Sequence, residues 1–306
     1  MAYDKSNPLI SIGLPTYNRA FCIRRAIDTL LAQTYLNFEL IISDNASTDE
    51  TEKICLEYAE KDKRVKYFRQ PENKGYAANF YFTLGQASGK YFIRVSDDDW
   101  WASEYLGKLL EALEENPEYG AALCSFNLVE HDGTFSEAIP LTGECDVTRD
   151  SYYAVYKKVL MRKPGLDHFT FGLIRTEFLK KFLARPLTGR LGWDRILVSE
   201  MALSIKLYCV PDVLRFIAKK IPGGHSVRFH IKKKKKLVST NYYVLFTTSL
   251  KRVITSPVIP LHRKLFVFMP WFGAMLAKRK KIFGFFYGDY SRFLRLSYWK
   301  QKLRKV

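Results

Sequence analysis

The sequence predicts an α/β protein with a mostly parallel sheet flanked by helices. Three observations carry this. Short β-rich apolar runs alternate with stretches of helical spacing over the first 130 residues. The alternation recurs along that whole stretch rather than once. Polar, turn-forming segments follow directly on the apolar runs, where an open α/β sheet presents its ligand-binding rim.

Leu9–Leu14 reads as the first strand. A helix over Arg19–Gln33 follows, because Ile23, Ala26, Ile27, Leu30 and Leu31 share one face. Phe38–Ser43 is a second buried strand, and Ser47-Thr48-Asp49-Glu50 opens the next helix with a capping residue and acids suited to the helix dipole. Val65–Arg69 is a third strand and Gly75–Ala87 a helix. Tyr91–Val95 is a fourth strand, Ser103–Glu115 a helix ended by Pro117, and Ala121–Val129 another strand. Beyond Gly133 the pattern loosens. Ser151–Met161 reads as a helix, His168–Ile174 as a strand and Asp194–Leu207 as a helix.

The chain has 306 residues and a net charge of +18, with 47% hydrophobic and 26% charged residues, so a sizeable core is available and disorder is excluded as its main state. The charge is unevenly spread. Residues 1–150 carry 15 Lys+Arg against 25 Asp+Glu, whereas residues 151–306 carry 34 against 6. From Leu214 onward there are 23 basic residues and one acid, Asp289. Such asymmetry points to a polyanionic partner for the basic end. The five cysteines are dispersed without a CxxC pair, which fits neither a disulfide framework nor a zinc site and favours a reducing, cytoplasmic setting. No signal-peptide pattern opens the chain. The longest near-apolar run, Val253–Ala277, is interrupted by His262, Arg263 and Lys264, so no spanning helix is expected.

Three loops leave the strand ends on one rim: Pro15-Thr16-Tyr17-Asn18-Arg19, Ser43-Asp44-Asn45-Ala46-Ser47, and Ser96-Asp97-Asp98-Asp99-Trp100. Adjacent carboxylates raise one another's pKa unless a cation lies among them. A hard divalent ion, Mg²⁺ or Mn²⁺, bound through one or two carboxylates and substrate phosphates, suits this set.

These motifs, with Asn73-Lys74-Gly75, resemble the ordered signatures of family 2 glycosyltransferases. The resemblance is strong over residues 9–115 and weaker to Ser226. It implies a GT-A fold, a Rossmann-like nucleotide-diphospho-sugar transferase architecture, and a metal-assisted single displacement that inverts the anomeric centre. On that resemblance Pro15, Thr16, Tyr17, Asn18, Arg19, Asp44, Asn45, Asn73, Gly75, Asn79, Asp97 and Asp98 would hold the nucleotide sugar. Asp99 is the first candidate for the metal, Asp97 the second, and His225 of the Gly223-Gly224-His225-Ser226 loop a third. The acceptor hydroxyl needs a base on the far face of the sugar. Asp194 in Gly192-Trp193-Asp194-Arg195 is the candidate, with Asp167 behind it. As a plain helix cap, Asp194 would need no chemistry. The organisation expected is a GT-A domain over 1–227, divided into a nucleotide-binding half (1–130) and an acceptor half (131–227), then a basic, aromatic-rich extension over 228–306.

In that extension, Pro270–Phe286 and Tyr290–Leu303 mix aromatic and aliphatic residues with Lys and Arg, a composition suited to an anionic membrane surface. No nucleic-acid module is recognisable, and nucleic acid is not expected as a partner. The expected enzyme moves a sugar, UDP-linked by family precedent, to a lipid-linked saccharide for cell-surface polysaccharide, peripheral on the inner face of the cell membrane. The competing readings are an inactive membrane-bound nucleotide-binding scaffold and a nucleotidyltransferase. The latter lacks a glycine-rich phosphate loop near strand one.

Overall fold

The computed structural model describes residues 7–130, 133–142, 146–161, 166–185, 193–218 and 248–277. A nine-stranded sheet runs in the order β3-β2-β1-β4-β8-β6-β9-β5, with β7 beside β6. The leading strands are β1 (Ile10–Thr16), β2 (Phe38–Asp44), β3 (Val65–Arg69) and β4 (Tyr91–Arg94). They pair in parallel, as expected for crossovers through α1 (Ile23–Leu31), α2 (Thr51–Lys61) and α3 (Tyr76–Gln86). Beyond β4 the sheet becomes mixed, because β8 (Leu173–Arg175) runs antiparallel to both β4 and β6 (Tyr119–Val129).

Alternation along the strands builds two cores. Ile10, Ile12, Leu14, Leu40 and Ile42 face one way, against α1 and α4 (Tyr105–Glu114). Ile41 and Phe92 face the other, against α3, α5 (Tyr152–Leu160), α6 (Thr176–Leu183) and α7 (Trp193–Ser204). Gly13 allows α3 to approach, since a Cβ there would meet Phe92 at 2.5 Å and Thr83 Oγ1 at 2.6 Å.

The structure corrects several expectations. The segment read as a strand over His168–Ile174 is a 3₁₀ turn, Leu166–Phe171, followed by the short β8. Three strands and a helix carried no recognised signal: β5 (Trp100–Trp101), β7 (Phe135–Ile139), β9 (Lys206–Ala218) and α6. Helix α1 starts at Ile23, not Arg19, because Arg19 N is drawn to Thr51 Oγ1 at 2.8 Å.

The described part of the C-terminal region packs onto this body. Residues 248–254 form a helix (α8), followed by α9 (Leu261–Leu265) and α10 (Phe268–Ala277). Val253, Ile259 and Val267 are buried in the core shared with α5 and α7. Arg252 pairs with Glu200 of α7 through Nε, and its Nη1 donates to the Arg185 carbonyl at 2.9 Å. Among the described residues no helix is long and apolar enough to cross a membrane. Lys232–Lys236, Tyr290–Leu303 and the later part of Pro270–Phe286 lie outside the described residues.

Candidate active site

Strand register creates the site. Thr16 pairs with Asp44 across β1 and β2, and Gly13 pairs with Arg94 across β1 and β4, so three strands end on one rim. The first two loops are interlocked. Asn18 N donates to Ser47 Oγ at 2.9 Å, and Thr48 N donates to Asn18 Oδ1 at 2.8 Å. Both loops hold a non-glycine residue in the left-handed region, Asn18 at φ 53° and Ala46 at φ 63°. Such strain persists where surrounding bonds over-determine it, and it concentrates at functional sites.

Of the expected nucleotide residues, Pro15 and Thr16 are buried at the end of β1, while Tyr17, Asn18 and Arg19 are half-buried on the rim. Asp44 is fully buried, and protein donors occupy both its oxygens: Ser47 N at 2.8 Å on Oδ1, Tyr67 Oη at 2.9 Å and Arg69 Nη1 at 3.4 Å on Oδ2. Asn45 holds the 73–75 loop, donating to Asn73 Oδ1 at 2.8 Å and accepting from Lys74 N at 3.0 Å. Gly75 follows at φ 81°, which suits glycine, and opens α3. Asn79 is a tie rather than a lining group. It is 3% exposed, and its amide donates to the Ser43 carbonyl at 2.7 Å and the Thr16 carbonyl at 3.2 Å.

The acidic loop is pinned between β4 and β5. Trp100 and Trp101 pair antiparallel with Phe216 and Arg215 of β9. Arg25 caps Trp100 at 3.7 Å from its ring, and Trp101 is buried against Tyr105. The three carboxylates have different surroundings. Asp97 faces the first loop, where Arg19 Nε donates to it at 3.2 Å. Burial pushes Asp97 upward, with Arg19 and the Thr16 hydroxyl pulling back. Asp98 is half-buried and has no ion-pair partner among the described residues; burial and the neighbouring Asp97 push it to about 6. Asp99 is 2% exposed and accepts from Arg215 Nε at 2.9 Å; burial still holds it at about 6.

Asp99 is paired with Arg215 and Asp97 with Arg19, so Asp98, beside Asp97, is the acid of the three without an ion-pair partner among the described residues. The raised pKa values of Asp97 and Asp98 are what a divalent ion would reverse, so the pair fits such an ion. No group of three His, Cys, Asp or Glu side chains among the described residues forms a complete ligand set. Substrate phosphates would supply the remaining ligands. His225 lies outside the described residues.

Asp194 stands in the first turn of α7, half-buried, with Oδ1 accepting from Arg195 N at 2.9 Å. Its charge acts on Tyr76, as do those of Asp97 and Asp98. Burial is the main cause of the raised Tyr76 phenol, and Asp97, Asp98 and Asp194 all push it further. Tyr76 itself is 47% exposed. Burial lowers Arg94, which Asp194 and Tyr76 pull back up. Arg94 stacks at 3.6 Å on Phe171 and donates to Thr170 Oγ1 at 2.6 Å.

Arg94 and Arg215 were missed as site residues by sequence reasoning. Arg94 had a signal, a lone arginine inside the apolar run YFIRV. Arg215 had none, being 116 positions from its partner.

A mixed sheet that is parallel at its leading half, with an acidic loop at the end of β4, defines the GT-A class of nucleotide-diphospho-sugar transferases. The profile described as Glycosyl transferase family 2 matches residues 11–183. The chain belongs to that family. It is 30% identical over 188 residues to glycosyltransferase GlyA of Streptococcus pneumoniae, covering 61% of this chain and 25% of that one. It is 26% identical to the GalNAc(5)-diNAcBac-PP-undecaprenol β-1,3-glucosyltransferase of Campylobacter jejuni, covering 54% and 57%. Identity is 32% to the putative teichuronic acid biosynthesis glycosyltransferase TuaG of Bacillus subtilis, covering 42% and 50%. The chain thus spans between a quarter and somewhat over half of these relatives. Among solved structures, S. aureus TarS 1–349 in complex with UDP-GlcNAc superposes with a TM-score of 0.64 at 16% identity, covering 90% of this chain and 78% of that one. The Pyrobaculum calidifontis mannosyltransferase PcManGT in complex with GDP-Man and Mn²⁺ gives 0.52 at 19%, covering 91% and 77%.

Proposed function

We propose that the protein transfers a sugar from a nucleotide-diphosphate donor, UDP-linked, to a hydroxyl of a lipid-linked saccharide, with inversion, in cell-surface polysaccharide assembly. What supports this is electrostatic: Asp97, Asp98 and Asp194, on two different elements, all push the Tyr76 phenol upward, and Asp194 also pulls Arg94 up. An in-line displacement needs an acidic anchor for the donor and a separate carboxylate for the acceptor. The UDP-GlcNAc complex of the TarS neighbour supports the donor class, and the Campylobacter relative's name supports a lipid-linked acceptor.

The interlocked 17–19 and 44–48 loops and the Asn45-held 73–75 loop bind the nucleotide. Asp97 and Asp98 would hold Mg²⁺ or Mn²⁺, which when bound offsets the charge of the diphosphate leaving group. Asp194 takes the proton from the acceptor hydroxyl. Tyr76, backed by the buried Arg94, shapes the wall between them and orders the sugar. The protein works at the inner face of the cell membrane, held by its basic C-terminal region on anionic lipid.

The test is donor hydrolysis across a panel of nucleotide sugars, followed by transfer with the donor that responds. Asp194→Asn keeps donor binding and loses transfer by on the order of a thousandfold. A folded Asp194→Asn protein with near-normal transfer removes the assignment, and a panel that gives no response at all removes the donor class.

A further inference from the structure

We propose that the outward face of α9 and α10 is a membrane-docking surface, occupied by an anionic bilayer. This rests on the membrane reading above and assigns it residues. Every residue of α10 is apolar, yet none of its described side chains is fully buried. Val267 and Trp271 face the core. Phe268, Met269, Phe272 and Leu276 face out, at 51%, 75%, 52% and 41% exposure. At 100° per residue these four fall within a single arc of about 100°. Leu265, at the end of α9, is a further exposed apolar residue at 66%. Scattered exposed apolar residues need no account, but a continuous row marks a contact surface.

The row is not loose. Arg263 Nη1 donates to the Leu203 and Ser204 carbonyls at 3.0 and 3.1 Å, at the C-terminus of α7, and its guanidinium lies 3.5 Å over the Tyr152 ring. Tyr153 donates to the Arg263 carbonyl at 3.1 Å. Such anchoring presents the apolar row on a rigid support. Trp271 also borders an open apolar groove lined by Leu250, Lys251, Ile254 and Thr255.

Charge selects the occupant. Lys278-Arg279-Lys280-Lys281 follows α10 directly in the sequence, and from Leu214 onward basic residues outnumber acids 23 to 1. A second copy of this chain would bring like charge against like across a two-fold. An anionic leaflet takes the apolar row into its interface and the basic residues onto its headgroups.

The experiment is flotation of the full chain with phosphatidylcholine vesicles, with and without phosphatidylglycerol. Two variants, Phe268→Glu/Met269→Glu and Leu265→Glu/Phe272→Glu, are compared with the wild type, with melting temperature and donor hydrolysis measured in parallel. Wild type floats with the anionic vesicles alone. Each double variant loses about tenfold or more of that binding, since two large apolar groups leave the interface, while hydrolysis is kept. Variants that float like wild type overturn this face and leave the broader membrane reading standing. A wild type that floats with neither vesicle overturns both. A wild-type dimer that the same variants convert to monomer overturns the bilayer in favour of a second copy. Because two separate pairs are tested, loss of folding in one leaves the other to decide.

Discussion

Arg215 of β9 reaches Asp99 with both Nε, at 2.9 Å, and Nη2, and each side chain is 2% exposed. The pair joins the acidic loop to a strand that starts more than a hundred residues later. It also lies under the cleft, with the Arg215 guanidinium 4.2 Å from the Phe171 ring that Arg94 covers from elsewhere. Arg215→Met leaves Asp99 buried without its partner and is expected to cost about 3–5 kcal/mol. Arg215→Met combined with Asp99→Leu should recover most of that loss. Urea denaturation of the single and double variants checks both values.

Asp98 gives a pH signature. Its folded pKa, about 6, lies above the ordinary 3.8, so the group favours the folded state at low pH. That contribution is full below about 4 and is lost as pH rises through 6. Asp98→Asn should therefore melt higher than wild type at pH 7 to 8, by roughly 1–2 kcal/mol after allowing for partial exposure. The gap should close by about pH 4. Melting curves of the two proteins across that range, without added metal, decide it; a pH-independent gap contradicts the assignment.

Metal dependence should appear in nucleotide binding. UDP is expected to raise the melting temperature in the presence of Mn²⁺ or Mg²⁺, and a chelator should remove most of that rise. Because Asp98 must be ionised to hold the ion, the same rise should shrink as pH falls through 6. Thermal shift with and without chelator, at two pH values, is the measurement.

Asn45→Ala removes both hydrogen bonds that hold the 73–75 loop. The expected loss is about 1–3 kcal/mol of stability. Activity should fall mainly through a higher donor KM, because loop position and not proton transfer is changed. Steady-state kinetics with the donor varied separates the two parameters.

Much of this was legible from residues. The β1 to α4 alternation is plain because β1, β2 and β4 are buried on both sides and the helices between carry an apolar face, as Ile10–Thr16 and Ile23–Leu31 show. The acidic loop was legible from three adjacent aspartates before two tryptophans. Strand β9 was not. Its pairing with β6 jumps from Val210 opposite Cys124 to Val213 opposite Ser125, so Pro211 and Asp212 bulge out and interrupt the apolar pattern. That Asp99 is ion-paired depended on Arg215, a partner that no local pattern connects to it. The boundary between core and tail was also obscured, because Arg252 is one more basic residue in a basic region until Glu200 is seen beneath it.

Helix α7 carries Asp194 in its first turn, Glu200 near its middle, and at its end the Leu203 and Ser204 carbonyls that Arg263 grips. At 1.5 Å per residue it is a strut of about 18 Å. One end bears Asp194, the proposed proton acceptor, and the other bears the mounting of α9 and α10. Seated on a flat boundary through those two helices, the protein would hold its reactive carboxylate at a set height. The spacing between an acceptor's anchor and its free hydroxyl would then count as much as the identity of its terminal sugar.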